Sequence, residues 1–104
     1  MKNVFDKRFW EDLTTLDFSN MDLENCLAIL PIAAIEQHGP HLPVKVDSTI
    51  INGLVEIIAK KLPKDSKAVF LPTQKIGKSN EHLAFPVTLS LSTETFFATI
   101  MDIG

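Results

Sequence analysis

The chain has 104 residues, of which 45% are hydrophobic and 22% charged, and a formal net charge of −3. That size and composition suit one small globular domain, so residues 1–104 are expected to fold as a single domain. No basic block interleaved with aromatics is present to meet nucleic-acid phosphate, and no apolar run approaches the roughly 20 residues of a membrane helix, so neither partner is expected.

The single cysteine, Cys26, excludes an internal disulfide and heads an apolar run, where it reads as a small buried hydrophobe. Met1 to Leu13 is too charged for a secretory leader, which leaves a reducing, cytoplasmic setting as the expectation.

Phe9, Trp10, Leu13 and Leu16 fall at helical spacing and predict a short helix over residues 7–16. The polar stretch from Leu16 to Asn25 reads as a loop. Cys26 to Ile35 is apolar throughout, as expected of a strand buried on both faces, and Pro31 limits ladder pairing to about Leu27–Leu30. Asp47 or Ser48 is placed to cap a helix running to about Leu62, with Ile50, Ile51, Leu54, Val55, Ile57 and Ile58 on its apolar side. Lys60 and Lys61 suit the last turn, and Pro63 ends it. A second buried strand is predicted over Lys67–Leu71, which makes a βαβ unit. Gln74 to Ser90 is a long polar connection, and long connections in compact domains are often functional. Ser92 or Thr93 then caps a last helix with Phe96, Phe97, Ile100 and Met101 as its buried face. Two strands make a poor parallel sheet, so the pattern is expected to be the opening of a larger α/β domain, truncated before its next strand.

Between Ile35 and Thr49 carboxylates and imidazoles crowd together: Glu36, His38, His41 and Asp47. Strand ends in open α/β sheets are where ligand sites form. Glu36 and His38 are two apart, so an extended backbone points both side chains the same way, and Asp47 lies at the mouth of the next helix. A mixed oxygen and nitrogen donor set suits Zn²⁺, Mn²⁺ or Fe²⁺. Spacing alone leaves a plainer alternative open, with Asp47 only a helix cap, Glu36 a surface residue and His38 bonded to a backbone carbonyl. Glu81–His82 is a second candidate pair, for substrate contact or proton transfer, against the alternative of a solvated loop pair. No serine or cysteine stands in a recognisable nucleophile setting.

The run Leu30-Pro31-Ile32-Ala33-Ala34-Ile35-Glu36-Gln37-His38-Gly39-Pro40-His41-Leu42-Pro43, with Val46-Asp47 after it, closely resembles the signature of the creatininase (creatinine amidohydrolase) family. Gly77, Glu81–His82 and Phe85-Pro86-Val87-Thr88-Leu89-Ser90-Leu91 resemble that family's later loop and helix start. The resemblance implies a three-layer α/β/α fold, of which this chain would be the N-terminal βαβ part with flanking helices. It also implies a homo-oligomeric hydrolase with two divalent metal ions per site, cleaving a cyclic amide or formamide C–N bond of a small molecule with a metal-activated water. Glu36 and His38 match ligands of different ions, Asp47 matches the carboxylate that bridges them, and His41, Glu81 and His82 match positions at or near the pocket. Val87 departs from the family's usual glycine in the Phe-Pro-Gly-Thr turn. The family completes its metal site from a later Asn-Gly-His motif that these residues do not reach, so an incomplete enzyme is expected. The rival expectation is a non-catalytic α/β module, self-associating or partner-binding, that keeps the motif.

Overall fold

A computed structural model of the chain describes residues 7–104. In chain order the elements are α1 (Thr15–Ser19), β1 (Leu27–Ile29), α2 (Val46–Lys61), β2 (Ala68–Phe70) and α3 (Thr93–Ile103), with short 3-10 turns at Trp10–Asp12, Leu23–Asn25 and Asn80–His82. The chain divides into two compact units: residues up to Pro31 with Gly53–Pro72, and Ile32–Asn52 with Thr73–Gly104.

The first unit holds the sheet. β1 and β2 pair in parallel, in the register Leu27↔Ala68, Ala28↔Val69, Ile29↔Phe70. Parallel neighbours need a long crossover, and α2 lies within it, as the βαβ pattern requires. The other edge of β2 is met by a bridge from Phe9 to Phe70, closed by Phe70 N–H donating to the Arg8 carbonyl at 2.7 Å. β2 is therefore the inner strand, and all three of its residues are buried. Among the described residues β1 pairs with β2 alone, and Leu27 is 62% exposed. The expected burial on both faces thus holds for the second strand and fails for the first, because an apolar run does not reveal which strand has neighbours on both sides.

Met21 and the fully buried Val69 form the core, against which Trp10, Leu13, Phe18 and Cys26 pack. The Trp10 and Phe18 ring centroids are 4.5 Å apart. Desolvation pushes the Cys26 thiol above its ordinary pKa, in keeping with a packing role.

The helix expected over residues 7–16 is replaced by a 3-10 turn and the short α1. The reason is local: Thr14 Oγ1 accepts from Asp17 N–H at 3.1 Å, and Asp17 Oδ2 accepts from Thr14 N–H at 2.9 Å. This reciprocal capping box starts a new helix inside the predicted one and draws residues 16–19 out of the predicted loop. Upstream, Arg8 and Phe9 stay extended to reach β2. The buried Arg8 guanidinium donates to the carbonyls of Pro63 at 2.8 Å, Ala68 at 3.1 Å and Ser66.

The second unit is knit by isolated bridges. Ile32 pairs in parallel with Gln74, Ala33 N–H donates to the Gln74 carbonyl at 2.9 Å, and Ile35 pairs antiparallel with Leu89. α2 begins at Val46, so Asp47 lies in its first turn and is not the cap. Along α2 Val55 is buried, while Ile50, Leu54, Ile57 and Ile58 are exposed, so the apolar stripe is broader than the surface covering it. In α3, capped by Ser92 Oγ accepting from Thr95 N–H at 3.1 Å, Phe97 is 67% and Met101 62% exposed. The predicted four-residue buried face is reduced to Phe96 and Ile100, each partly covered.

Candidate metal centre

The loop after Ile32 is shaped before any donor is placed. Leu89 N–H donates to the Ile35 carbonyl at 2.9 Å, and Gln37 N–H donates to Thr88 Oγ1 at 3.0 Å, so residues 35–37 are held extended against 88–89. A short antiparallel turn follows: Glu36 N–H reaches the Val44 carbonyl at 3.4 Å, and His38 bridges Leu42. Gly39 makes the reversal at φ 78°, a left-handed conformation that favours glycine. Gly77 is fixed by space rather than by φ, since a Cβ there would lie 2.9 Å from the Ala33 carbonyl oxygen.

This backbone brings Glu36 and His38 to one side, and α2 delivers Asp47 from its first turn. Ligand atoms of Glu36, His38 and Asp47 all lie within 4.8 Å of one another, each residue partly buried. His38 Nε2 stands 3.5 Å from Asp47 Oδ1. His38 Nδ1 is 3.0 Å from the Glu36 main-chain oxygen, which can only accept, so Nδ1 carries a proton and in the neutral ring Nε2 presents its lone pair to the cluster. A backbone bond fixing one ring nitrogen while the other faces the donors is the usual preparation of a metal-binding histidine. Of the plainer alternative one part holds, since His38 does bond a carbonyl, while Asp47 lies inside α2 and Glu36 is partly buried.

A second group comprises Glu36, Glu81 and His82, again within 4.8 Å, with Glu81 exposed. His82 Nε2 is 3.5 Å from Glu36 Oε2, so the long polar connection returns beside the first group. His41 is exposed and belongs to neither group; its ring lies over Gly39, 3.4 Å from where a Cβ would stand. Two contributors escaped the sequence reading. Thr88 is buried and holds the Gln37 N–H, and Gln37 spans from the Gly39 N–H to the His82 ring. Val87 needs no glycine-like backbone: among the described residues only Gly39 has positive φ, and Thr88 N–H closes the Phe85–Thr88 turn on the Phe85 carbonyl at 3.4 Å.

An α/β framework with two carboxylates and an imidazole converging past a strand defines a candidate divalent-metal site. The family model for creatinine amidohydrolase matches residues 11–104. A mycofactocin precursor peptide peptidase of Mycolicibacterium smegmatis is 32% identical over 80 residues, covering 75% of this chain and 32% of that protein. A creatinine amidohydrolase of Pseudomonas putida is 29% identical over 84 residues, covering 76% of this chain and 31% of that protein. A solved structure described as creatininase Mn superposes with a TM-score of 0.78 at 28% identity, covering 93% of this chain and 38% of that one. The chain belongs to the creatininase family, and its fold is part of that family's α/β fold. It spans about a third of the length of the curated relatives it matches.

Proposed function

We propose that this chain carries the metal-binding loop of a metal-dependent hydrolase of amide C–N bonds, with Glu36, His38 and Asp47 as ligands. The observation that carries this reading is the convergence of those donors within 4.8 Å, two from the loop and Asp47 from the first turn of α2. Mixed carboxylate and imidazole donors suit Zn²⁺, Mn²⁺ or Fe²⁺, and the Asp47 carboxylate would be the group to share if two ions were held. When bound, such ions polarise a carbonyl and lower the pKa of water toward neutrality.

The chain's own residues supply the rest. His38 and Glu36 fix the donor geometry, Glu81 places an exposed carboxylate beside Glu36 where a proton can be handed to or from solvent, and His41 is left as an exposed contact for substrate. The substrate class in this reading is a cyclic amide or formamide, as the match to creatinine amidohydrolases supports. A peptide amide is the second reading, favoured by the similarity to a precursor-peptide peptidase. A cytoplasmic homo-oligomer completes the proposal: one cysteine suits a reducing compartment, and exposed apolar side chains such as Leu54, Phe97 and Met101 offer surface for self-association.

Elemental analysis of the purified chain, with Glu36→Ala and Asp47→Ala beside it, tests the proposal. The wild type is expected to retain zinc or manganese after dialysis, and each variant to lose affinity by more than about 100-fold, beyond what loss of a supporting partner does. Metal content equal in all three would remove the ligands from the proposal and leave the non-catalytic module. With metal bound, release of product from creatinine, a formamide or a short peptide separates the two substrate readings.

A further inference from the structure

We propose that His82 is not a metal ligand but a positioning residue, whose protonated Nε2 is held toward the Glu36 carboxylate by Gln37. The inference deepens the proposed function, because it rests on Glu36 being a ligand.

The argument starts at a backbone amide. Gly39 N–H donates to Gln37 Oε1 at 3.1 Å, and a main-chain N–H cannot accept, so the oxygen of the Gln37 amide is fixed on that side. Its NH₂ then faces His82 Nδ1 at 3.1 Å. An amide NH₂ only donates, so Nδ1 must be the accepting nitrogen, and in a neutral ring the proton sits on Nε2. That Nε2–H stands 3.5 Å from Glu36 Oε2. One direction of donation therefore runs from Gly39 through Gln37 to His82, and it leaves the Nε2–H of the neutral ring as the group that faces Glu36.

His38 has the opposite tautomer, with its proton on Nδ1 and a free lone pair on Nε2. Of the two imidazoles beside Glu36, only His38 offers a lone pair to an ion. The group of Glu36, Glu81 and His82 has metal-like spacing, but in the neutral ring the nitrogen that its imidazole turns to the carboxylate carries the proton. Its role is to occupy one oxygen of Glu36 and orient the other, as donors behind ligating carboxylates do.

The test reads the ring nitrogens directly. The chain is labelled with ¹⁵N-histidine, and long-range ¹H–¹⁵N spectra are recorded without metal at a pH of about 8, where ordinary imidazole is neutral. Its three histidines are assigned through His41→Gln and His82→Gln. His82 is expected as the Nε2–H tautomer and His38 as Nδ1–H; His82 protonated on Nδ1 would overturn the proposal. Gln37→Met removes the amide donor, so His82 should become a mixture of tautomers while His38 keeps its own; an unchanged His82 would overturn the part assigned to Gln37. If that variant does not fold, the wild-type spectrum still decides the tautomer of His82.

Zinc added to the wild type should shift the His38 ring and leave the His82 Nε2 proton in place. Zinc replacing that proton would overturn the proposal. Zinc disturbing neither ring would defeat the metal reading while leaving the tautomer assignment intact, so the two failures are distinguishable. In zinc titrations, affinity is expected to fall by about tenfold or more in His82→Leu and by less in His82→Gln, which keeps a donor.

Discussion

The two units of this chain spend their polar side chains differently. In the first, Arg8 brings a buried positive charge to three main-chain carbonyls around β2, and the surroundings are a parallel ladder and an aromatic-lined core. In the second, regular pairing thins to single bridges, and Thr88 and Gln37 take over the work of holding the backbone. A sheet satisfies its own amides and needs few side chains to do so. A loop that turns two carboxylates and an imidazole toward one point cannot do this, so side chains must replace the ladder. The difference teaches that polar burial in the first unit serves stability, whereas in the second it serves the placement of donors.

The largest expected effect breaks the first unit alone. Arg8→Ala removes a charged donor from the carbonyls of Pro63, Ser66 and Ala68, and bonds to charged groups contribute about 1.5–3 kcal/mol each, less what water recovers. A loss of about 3 kcal/mol in urea-unfolding stability is expected, with unchanged zinc affinity in the molecules that remain folded. Equal damage to zinc affinity would mean that Arg8 also serves the site.

Gly77→Ala comes next and should strike both properties. Its new Cβ would lie 2.9 Å from the Ala33 carbonyl oxygen, main-chain on main-chain, so no side chain can swing away. Overpacking of this kind costs about 2 kcal/mol. Since Ala33 precedes Glu36 on the same extended segment, zinc affinity should fall with stability. Preserved affinity beside lost stability would show that the segment absorbs the strain before Glu36.

Thr88→Val is smaller and separates the two roles more finely. It keeps the shape of the buried side chain and deletes the acceptor of the Gln37 N–H, for about 1 kcal/mol of stability. Zinc affinity should drop by about tenfold, because the bond holds the residue between two proposed ligands. A variant as stable and as tight as the wild type would assign the placement of residues 35–37 to the Ile35–Leu89 bridge alone.

These positions also mark how far the sequence could be read. The convergence of Glu36, His38 and Asp47 was legible because they are close in the chain, where an extended segment and a helix start bring them together. The βαβ order was legible for the same reason: each element announces itself within a dozen or so residues. Thr14 and Asp17 carry a capping signal that the helix expected from the spacing of Phe9, Trp10, Leu13 and Leu16 does not use. Gln37 and Thr88 could not be recognised locally, since their bond joins residues 51 apart. The exposure of Leu27, Phe97 and Met101 was equally out of reach, because hydropathy says what a side chain would gain from cover and not whether cover is there.

The smallest expected effect sharpens the comparison through Cys26, the one thiol of the chain. It packs against the core of the first unit, and desolvation raises its pKa, since the thiolate is the charged form and loses more solvation than the thiol. The sign follows: at any pH below that raised value less thiolate is present than in a free cysteine, and the thiolate is the reacting species. Reaction with a neutral disulfide reagent at about pH 7.5 should therefore be slower in the folded chain than in the chain unfolded by urea, and its rise with pH should be displaced upward. A thiol that reacts faster when folded would place a nucleophile in the unit here assigned to stability, and the division of labour between the two units would have to be redrawn.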